Sequence, residues 1–111
     1  MIEVTDEQMQ ATLAQAKTYT VAILTSGPKK DHPDRAAIVW EHGRRNMALR
    51  AEGVLPIVCP IKDDTPVHGI GIFARTVEET KAILDDDPGV QAGVFTYDLH
   101  ACRGFPGAAL P

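Results

Sequence analysis

Residues 76–95, TVEETKAILDDDPGVQAGVF, contain a helix that ends abruptly and leads into a strand. Thr76 and Glu79 have the spacing of a capping box, which predicts that the helix begins there. Pro88 disfavours the helical conformation for the residue before it, so we expect the helix to end at about Asp86. The segment therefore predicts one helix followed directly by one strand, and the other elements of the chain are assigned relative to these two.

Three consecutive carboxylates, residues 85–87, lie at the C-terminal end of this predicted helix. The negative end of a helix dipole disfavours each of them by roughly 0.3–1 kcal/mol. Such a local conflict marks either a well-solvated helix end or a functional site. Gly89 and Gly93 then turn the chain into residues 94–100, VFTYDLH, whose alternation is typical of a half-buried strand.

Composition narrows the class of protein. The chain has 111 residues, 44% of them hydrophobic, and a net charge of −4. This length predicts a single domain, and the negative charge argues against a nucleic-acid partner. The two cysteines form no CxxC motif, the N-terminus is acidic, and no apolar run approaches the ~20 residues of a membrane span. We therefore expect a cytoplasmic protein with no bound metal, no cofactor and no membrane partner.

Hydrophobic periodicity and turn residues divide the remaining chain into further elements. The predicted elements are a leading helix over residues 1–17, strands over 19–26, 54–61 and 67–75, a long helix over 34–52, and an irregular tail over 101–111. Pro56 and Pro60 cannot donate hydrogen bonds to a ladder, so the strand over 54–61 should lie at a sheet edge. The strand over 19–26 is apolar and β-branched, and should be central.

The element order after the leading helix is β-α-β-β-α-β, over residues 19–100. That order predicts the α+β class and a ferredoxin-like, four-stranded antiparallel sheet with both helices on one face. Apolar residues at both alternating positions of the first strand indicate that the other face is covered as well. We expect a second copy of the chain to cover it, giving a homodimer or a higher oligomer, with the leading helix as a further contact.

The long helix has its own expected features. Asp34 is a plausible N-cap and Gly53 should end the helix. Gly43, in mid-helix, costs about 1 kcal/mol relative to alanine, which a close approach of helix to sheet would explain. The residues expected to face the sheet recur at helical spacing, and they are Ala36, Trp40, Gly43, Met47 and Ala51. A flanking row is formed by Ile38, His42, Arg45 and Leu49.

Four local features together resemble a known family. They are His42 in the long helix, the helix start Thr76-Val77-Glu78-Glu79, the pair Asp87-Pro88, and Ala92-Gly93-Val94-Phe95 before the last strand. With these features the chain resembles the YciI-like (YCII-related) proteins of the dimeric α/β-barrel superfamily, over roughly residues 19–100. The resemblance implies a dimeric barrel and a His–Asp pair in a cleft, formed here by His42 and Asp87.

The chain departs from this family at three places. His42 is followed by Gly43 where many members have leucine, Cys59 precedes Pro60 where many have glycine, and Ala101-Cys102 stands where many have Pro-Trp. The lining of the pocket can therefore differ, and the resemblance implies no particular substrate. Most of the family has no established function, although the superfamily includes dehydrochlorinases, muconolactone isomerases and small monooxygenases.

His42 and Asp87 are the candidate catalytic residues. Asp87 would orient the imidazole and select its tautomer, and the free ring nitrogen would move a proton on a small organic molecule. The alternatives are a histidine on the helix surface with an aspartate that caps a turn, or a buried pair that is only structural.

The other reactive side chains admit both functional and structural interpretations. His100 could complete a metal site with His42 and Asp87, or simply end a strand. Cys59 could be a nucleophile if a base lowered its pKa, or a buried structural thiol. Cys102, in the predicted tail, is expected to be inert.

Basic and glycine-rich segments give weaker signals. Arg44, Arg45 and Arg50 could bind an anionic group, or form the solvated face of the helix. Ser26-Gly27-Pro28 matches no phosphate-binding motif, and Gly69 and Gly71 should let a backbone or a ligand approach the sheet. His32 and His68 are expected to be solvated.

Three functions of different classes remain open from these observations. The first is a small, cofactor-free enzyme that carries out proton transfer or elimination with His42 and Asp87. The second is a module that binds a small ligand in the same cleft without transforming it. The third is a purely structural protein that only builds an oligomer.

Overall fold

The computed structural model describes all 111 residues and contains four helices and four strands. In chain order they are α1 (Asp6–Ala14), β1 (Lys17–Ser26), α2 (Arg35–Ala51), β2 (Ile57–Pro60), β3 (Val67–Phe73), α3 (Val77–Asp85), α4 (Pro88–Gln91) and β4 (Phe95–Gly104).

The four strands form one antiparallel sheet in the order β2-β3-β1-β4. The predicted α+β class and four-stranded antiparallel sheet are confirmed, and the arrangement is compatible with a ferredoxin-like fold. β1 is central, as its apolar and β-branched residues predict. β2 is an edge strand, as its prolines require, because Pro60 has no N–H to donate to a further strand.

Helices α2, α3 and α4 pack against one face of the sheet. Buried residues of β1 and β3, Ala22 and Phe73, share a core cluster with Leu84 of α3. A second cluster joins Leu24 to Phe95 and Val94, and half-buried residues of α2 and α4 pack against it. The cores therefore lie between the sheet and α2, α3 and α4.

The opposite face of the sheet carries aliphatic residues that belong to neither core cluster. The pairing register places them side by side across β2, β3 and β1, and all are half-buried: Val21, Ile23, Ile57, Ile70 and Ile72. We call these five residues the open-face cluster. No helix of the chain covers them, which leaves an apolar surface on a single copy.

α2 turns a different face to the sheet from the predicted one. Trp40 and Met47 are 69% and 50% exposed, and Ala36 and Ala51 are exposed as well, so the prediction is wrong for these four residues and holds only for the half-buried Gly43. The inward face is the row that was expected to flank it. All four members of that row, Ile38, His42, Arg45 and Leu49, are half-buried, and so are Val39 and Asn46 beside them. Ile38 and Leu49 pack on the two core clusters, and their burial sets the rotation of the helix.

Both ends of α2 can be compared with the prediction. Gly53 follows the helix with φ of +75°, a conformation that glycine adopts without steric cost, so the predicted stop is confirmed. Asp34 is the N-cap residue, as predicted, but its side chain makes no capping hydrogen bond. The Asp34 backbone, at φ −99° and ψ 20°, is not in the extended conformation typical of an N-cap.

Residues 76–95 fold largely as predicted. Thr76 and Glu79 form the capping box, with reciprocal side-chain to backbone hydrogen bonds. Asp87 leaves the helical conformation, at φ −73° and ψ 133°. The sequence did not reveal α4, a single helical turn that begins at Pro88 and has Asp87 as its N-cap. The Asp-Pro pair therefore ends one helix and starts the next.

The two ends of the chain also differ from the prediction. β4 continues past His100 to Gly104, so the irregular tail expected over residues 101–111 is wrong for its first four residues. β1 begins at Lys17, which pairs with Gly104 and supplies the partner that extends β4. The leading helix, expected over residues 1–17, is α1, which has no buried residue. None of the helices has the length and apolar character that crossing a membrane requires.

Candidate functional site

The structure brings His42 and Asp87 together, although 45 residues separate them in the chain. His42 Nδ1 lies 2.9 Å from each carboxylate oxygen of Asp87. An ionised carboxylate only accepts hydrogen bonds, so His42 Nδ1–H is the donor. This contact selects the tautomer in which His42 Nε2 carries a lone pair.

Asp87 is held in place by the start of α4. Its Oδ2 accepts hydrogen bonds from the backbone N–H groups of Gly89, at 2.9 Å, and Val90, at 3.2 Å. Gly89 has no room for a side chain, since a Cβ would lie 2.6 Å from the ring of Phe95. The short helix therefore fixes the carboxylate in a fully buried position against the last strand.

Arg45 supplies a positive charge next to this buried carboxylate. Its Nη1 lies 3.8 Å from Asp87 Oδ1, which is too far for a hydrogen bond, and this buried nitrogen has no other partner. A buried carboxylate needs hydrogen bonds and a nearby cation to offset its lost hydration. His42, the α4 backbone and Arg45 together meet that need.

The second nitrogen of the histidine points toward a cavity. Asn46, one turn further along α2, places its Nδ2 3.2 Å from His42 Nε2 and donates a hydrogen bond to it. The His42 side chain is 12% exposed, and both His42 and Asn46 line the cavity. His42 is thus oriented at one nitrogen by Asp87 and presents the other to a possible ligand.

The cavity has a volume of about 270 Å³, near the lower end of the ~300–1,000 Å³ range of small-molecule sites. Its wall is mostly apolar, and includes Leu24, Val39, Leu55 and Phe73. Gly43 lines it too, and a Cβ at Gly43 would meet no atom within 4 Å. A close approach to the sheet therefore does not account for Gly43. The glycine instead leaves space in the cavity beside His42.

Phe95 connects His42 to a second polar group. Its ring centroid lies 4.9 Å from that of His42 and 5.3 Å from that of His68. His68 Nε2 lies 2.7 Å from Ser26 Oγ. Burial lowers the pKa of His68, with a further contribution from the positive charge of Arg35, so this imidazole is neutral at pH 7. His68, expected to be solvated, is instead half-buried and hydrogen-bonded.

None of the remaining candidates hydrogen-bonds to this pair, although Cys59 lines the same cavity as His42. His100 pairs with Val21, so it belongs to the opposite face of the sheet and cannot join His42 and Asp87 at a metal. No group of three His, Cys, Asp or Glu side chains is arranged to hold a metal ion. Cys59 and Cys102 are both free and half-buried, and neither makes a hydrogen bond to a base.

Of the three arginines, only Arg45 reaches the site. Arg44 forms an exposed ion pair with Glu41, and Arg50 is exposed near the end of α2. His32 is partly buried and its Nδ1 accepts a hydrogen bond from the backbone N–H of Asp34. These residues contribute to the surface of α2 and to the loop before it.

Several residues of the site could not be singled out from the sequence. Asn46 is four residues after His42 and Arg45 is three after it, so their helical spacing places them on the same face. That spacing was a usable signal once His42 was a candidate. The contact of Ser26 with His68 has no such local signal, because it depends on how β1 pairs with β3.

A scan against protein-family models finds no match to this chain, and a comparison with curated proteins finds none either. The resemblance to YciI-like proteins therefore stays a proposal. The contacts and the cavity described above are the basis for the function proposed below.

Proposed function

We propose that the chain is a YciI-like protein and a small enzyme that moves a proton on a small organic molecule, with His42 as the base and Asp87 as its orienting partner. The observation that supports this most is the contact of His42 Nδ1 with both oxygens of the buried Asp87 carboxylate at 2.9 Å. It leaves Nε2 unprotonated and directed at an apolar cavity, which is the arrangement a general base needs.

The proposed step uses only groups that the chain supplies. His42 Nε2 takes a proton from a C–H or O–H group of the bound molecule and becomes an imidazolium. The Asp87 carboxylate stabilises that charge, while Asn46 swings its amide away from Nε2 to make room for the ligand. Returning the proton to a different atom gives an isomerisation, and loss of a leaving group gives an elimination. An apolar wall strengthens these electrostatic effects because it excludes water.

Hydrogen–deuterium exchange tests this step without knowledge of the natural substrate. A panel of small carbonyl compounds with an acidic C–H is incubated with the protein in D₂O and examined by mass spectrometry. We expect catalysed incorporation of deuterium into at least one compound. In His42→Gln the rate should fall by about 10²–10⁴-fold, the usual contribution of a general base.

His100→Gln is the matched control, since His100 is exposed on the opposite face of the sheet. It should exchange deuterium at the wild-type rate. Equal rates for His42→Gln and wild type would remove the basis of the proposal.

One observation favours a second candidate, a module that binds a ligand without transforming it. Asn46 already donates to His42 Nε2, so the lone pair has a partner within the chain. A binding module predicts that a small apolar compound raises the melting temperature of the protein by mass action. It also predicts that the compound is recovered without deuterium, which distinguishes it from the enzyme.

We further propose that a second copy covers the open-face cluster, forming the dimeric α/β barrel that the family resemblance implies. Five aliphatic residues on one continuous surface support this proposal. A two-fold axis would place the same cluster of each copy against the other, so the surface is complementary to itself. This arrangement leaves the cavity on the helical side of the sheet accessible to ligands.

A further inference from the structure

The end of the cavity remote from Asp87 is polar and positively charged. Arg35 and His68 line the apolar cavity, and both also line a neighbouring hollow of about 300 Å³ that opens to solvent. The other residues around that hollow are Ser26, Lys30 and Asp31, none of them hydrophobic. An apolar cavity and a polar hollow therefore share a wall made of one arginine and one histidine.

The Arg35 guanidinium has several N–H donors at this wall that make no hydrogen bond within the chain. Its Nη1 donates to the backbone oxygen of Lys30 at 2.8 Å, and its other N–H groups make no hydrogen bond within the chain. No carboxylate lies within ion-pair distance of it, in contrast to Arg44 with Glu41. Its guanidinium carbon is 5.8 Å from the centroid of the Phe95 ring, and both side chains belong to residues that line the cavity. A guanidinium with free parallel donors suits a carboxylate, which it can bind through two hydrogen bonds.

The groups around Arg35 keep the local charge positive. Lys30 and Arg35 carry two positive charges and Asp31 carries one negative charge. His68 adds none at neutral pH, because burial and the charge of Arg35 both lower its pKa. Ser26 and His68, linked at 2.7 Å, offer a neutral hydrogen-bonding pair beside the cation. The hollow thus combines one surplus positive charge with neutral polar partners.

Phe95 sets the distance between this cation and the candidate base. Its ring contacts both imidazoles, with centroid distances of 4.9 Å to His42 and 5.3 Å to His68. The Arg35 guanidinium carbon lies 5.8 Å from the same Phe95 centroid, so its distance from the His42 ring centre is no more than the sum of 5.8 Å and 4.9 Å. A compact molecule can reach Arg35 at one end and His42 at the other. A cavity of ~150 Å³ already holds benzene, so about 270 Å³ accommodates a ring or short chain with one substituent.

We propose that the ligand of this site is a small carboxylic acid, whose carboxylate binds Arg35 beside the Ser26–His68 pair and whose apolar body reaches His42. The inference rests on the proposed function, because it assigns the substrate class of the same cavity. It also assigns distinct tasks to the two histidines. His42 exchanges the proton, and His68 helps to position the carboxylate.

Benzoate and benzamide test the inference, since they have the same shape and differ in charge. Binding of each to the wild-type protein is measured by calorimetry at low ionic strength. Neither compound has to react for this measurement. We expect benzoate to bind about tenfold more tightly or better, the usual gain from a charge-assisted hydrogen bond. In Arg35→Gln this preference should disappear, while Arg50→Gln, which removes an exposed cation near the other end of α2, should keep it.

Arg35→Lys separates charge from geometry. It keeps the cation but loses the two parallel donors, so it should show a smaller preference for benzoate than wild type. It also provides a second variant if Arg35→Gln unfolds. The comparison of benzoate with benzamide on the wild-type protein needs no variant at all.

Each outcome bears on the inference separately from the proposed function. Equal affinity for benzoate and benzamide, or no binding of benzoate, overturns the carboxylate subsite even if neutral compounds exchange deuterium. Tighter binding of phenyl phosphate than of benzoate overturns the assignment to carboxylic acids. A preference for benzoate that depends on Arg35 supports the subsite even if no compound exchanges deuterium, in which case only the proposed enzyme fails.

Discussion

Asp87 combines a structural and a chemical task in one side chain. As the N-cap of α4 it accepts two backbone hydrogen bonds, and as the partner of His42 it accepts a third from the imidazole. The carboxylate can do both because it has two acceptor oxygens. Of the three consecutive aspartates, Asp85 and Asp86 lie exposed at the helix end, and only Asp87 is buried in the candidate site.

Asp87→Asn should therefore change the tautomer of His42. Asparagine replaces one of the two acceptor oxygens with an NH₂ donor, which competes with the remaining oxygen for His42 Nδ1. With that oxygen kept as the N-cap, the amide nitrogen faces Nδ1 and moves the imidazole proton to Nε2. Deuterium exchange should fall by about 10²-fold or more.

The ring ¹⁵N chemical shifts of His42 report the tautomer directly. Asp86→Asn is the control, because Asp86 is exposed and makes no side-chain hydrogen bond. Unchanged ring shifts in Asp87→Asn would show that the carboxylate does not set the tautomer.

His68 should make stability depend on pH. Burial and Arg35 lower its pKa in the folded protein, whereas the unfolded chain titrates near 6.5. Below pH 6.5 the unfolded state therefore binds the proton more readily, and the free energy of unfolding decreases as pH falls toward the folded-state pKa. Above 6.5 this contribution is fully present. Denaturant unfolding at several pH values should show a steeper loss for wild type than for His68→Gln.

The difference between these two proteins isolates His68, because the other three histidines are common to both. Glutamine retains an amide that can bond Ser26 but has no charge to gain. Parallel pH profiles for wild type and variant would mean that His68 titrates alike in the folded and unfolded states.

Helix α2 shows how one element serves both packing and the site. Ile38 and Leu49 anchor it to the cores, and between them His42, Arg45 and Asn46 face inward. Gly43 lies on the same side and leaves the cavity open beside His42. The helix thus tolerates a glycine where alanine would favour the helical conformation.

Substitution at Gly43 should separate helix stability from cavity volume. Gly43→Ala should raise the free energy of unfolding by about 1 kcal/mol, because the added Cβ meets no atom within 4 Å. Gly43→Leu should keep the helix but fill the space beside His42, and so prevent binding and deuterium exchange. Denaturant unfolding and ligand titration measure the two effects. Full binding by Gly43→Leu would place the ligand elsewhere.

The two faces of the sheet differ in what covers them. The helical face holds both cores and the cavity, while the open-face cluster has no cover. The radius of gyration is 16.2 Å, above the ~13 Å typical of a 100-residue domain. An N-terminal helix without buried residues adds to the exposed apolar surface of a single copy.

Ile72→Asp should convert the proposed dimer to a monomer. Ile72 pairs with both Val21 and Ile57, so a carboxylate there would be buried without a partner in the dimer. Sedimentation velocity at micromolar concentration should show a dimer for wild type and a monomer for this variant. Trp40→Asp is the control, since Trp40 is equally apolar but lies on the outer face of α2. A monomeric wild-type protein would contradict the proposal.

Local rules were sufficient for most element boundaries in this chain. The Thr76–Glu79 capping box, the stop before Pro88 and the end of α2 at Gly53 all follow from interactions within a few residues. The edge position of β2 follows from its prolines in the same way. The family resemblance directed attention to His42 and Asp87, and their catalytic function stays a prediction.

Contacts between segments that are distant in the sequence determine the orientation of α2, the length of β4 and the contacts within the candidate site. The inward face of α2 depends on which aliphatic residues reach the cores, and β4 extends because β1 begins early enough to pair with it. The His42–Asp87 and Ser26–His68 contacts span 45 and 42 residues. Hydrophobic periodicity relates residues that are close in the sequence, so it predicts which helix or strand a side chain belongs to. Which side chains meet across the cavity depends on the packing of those elements against one another.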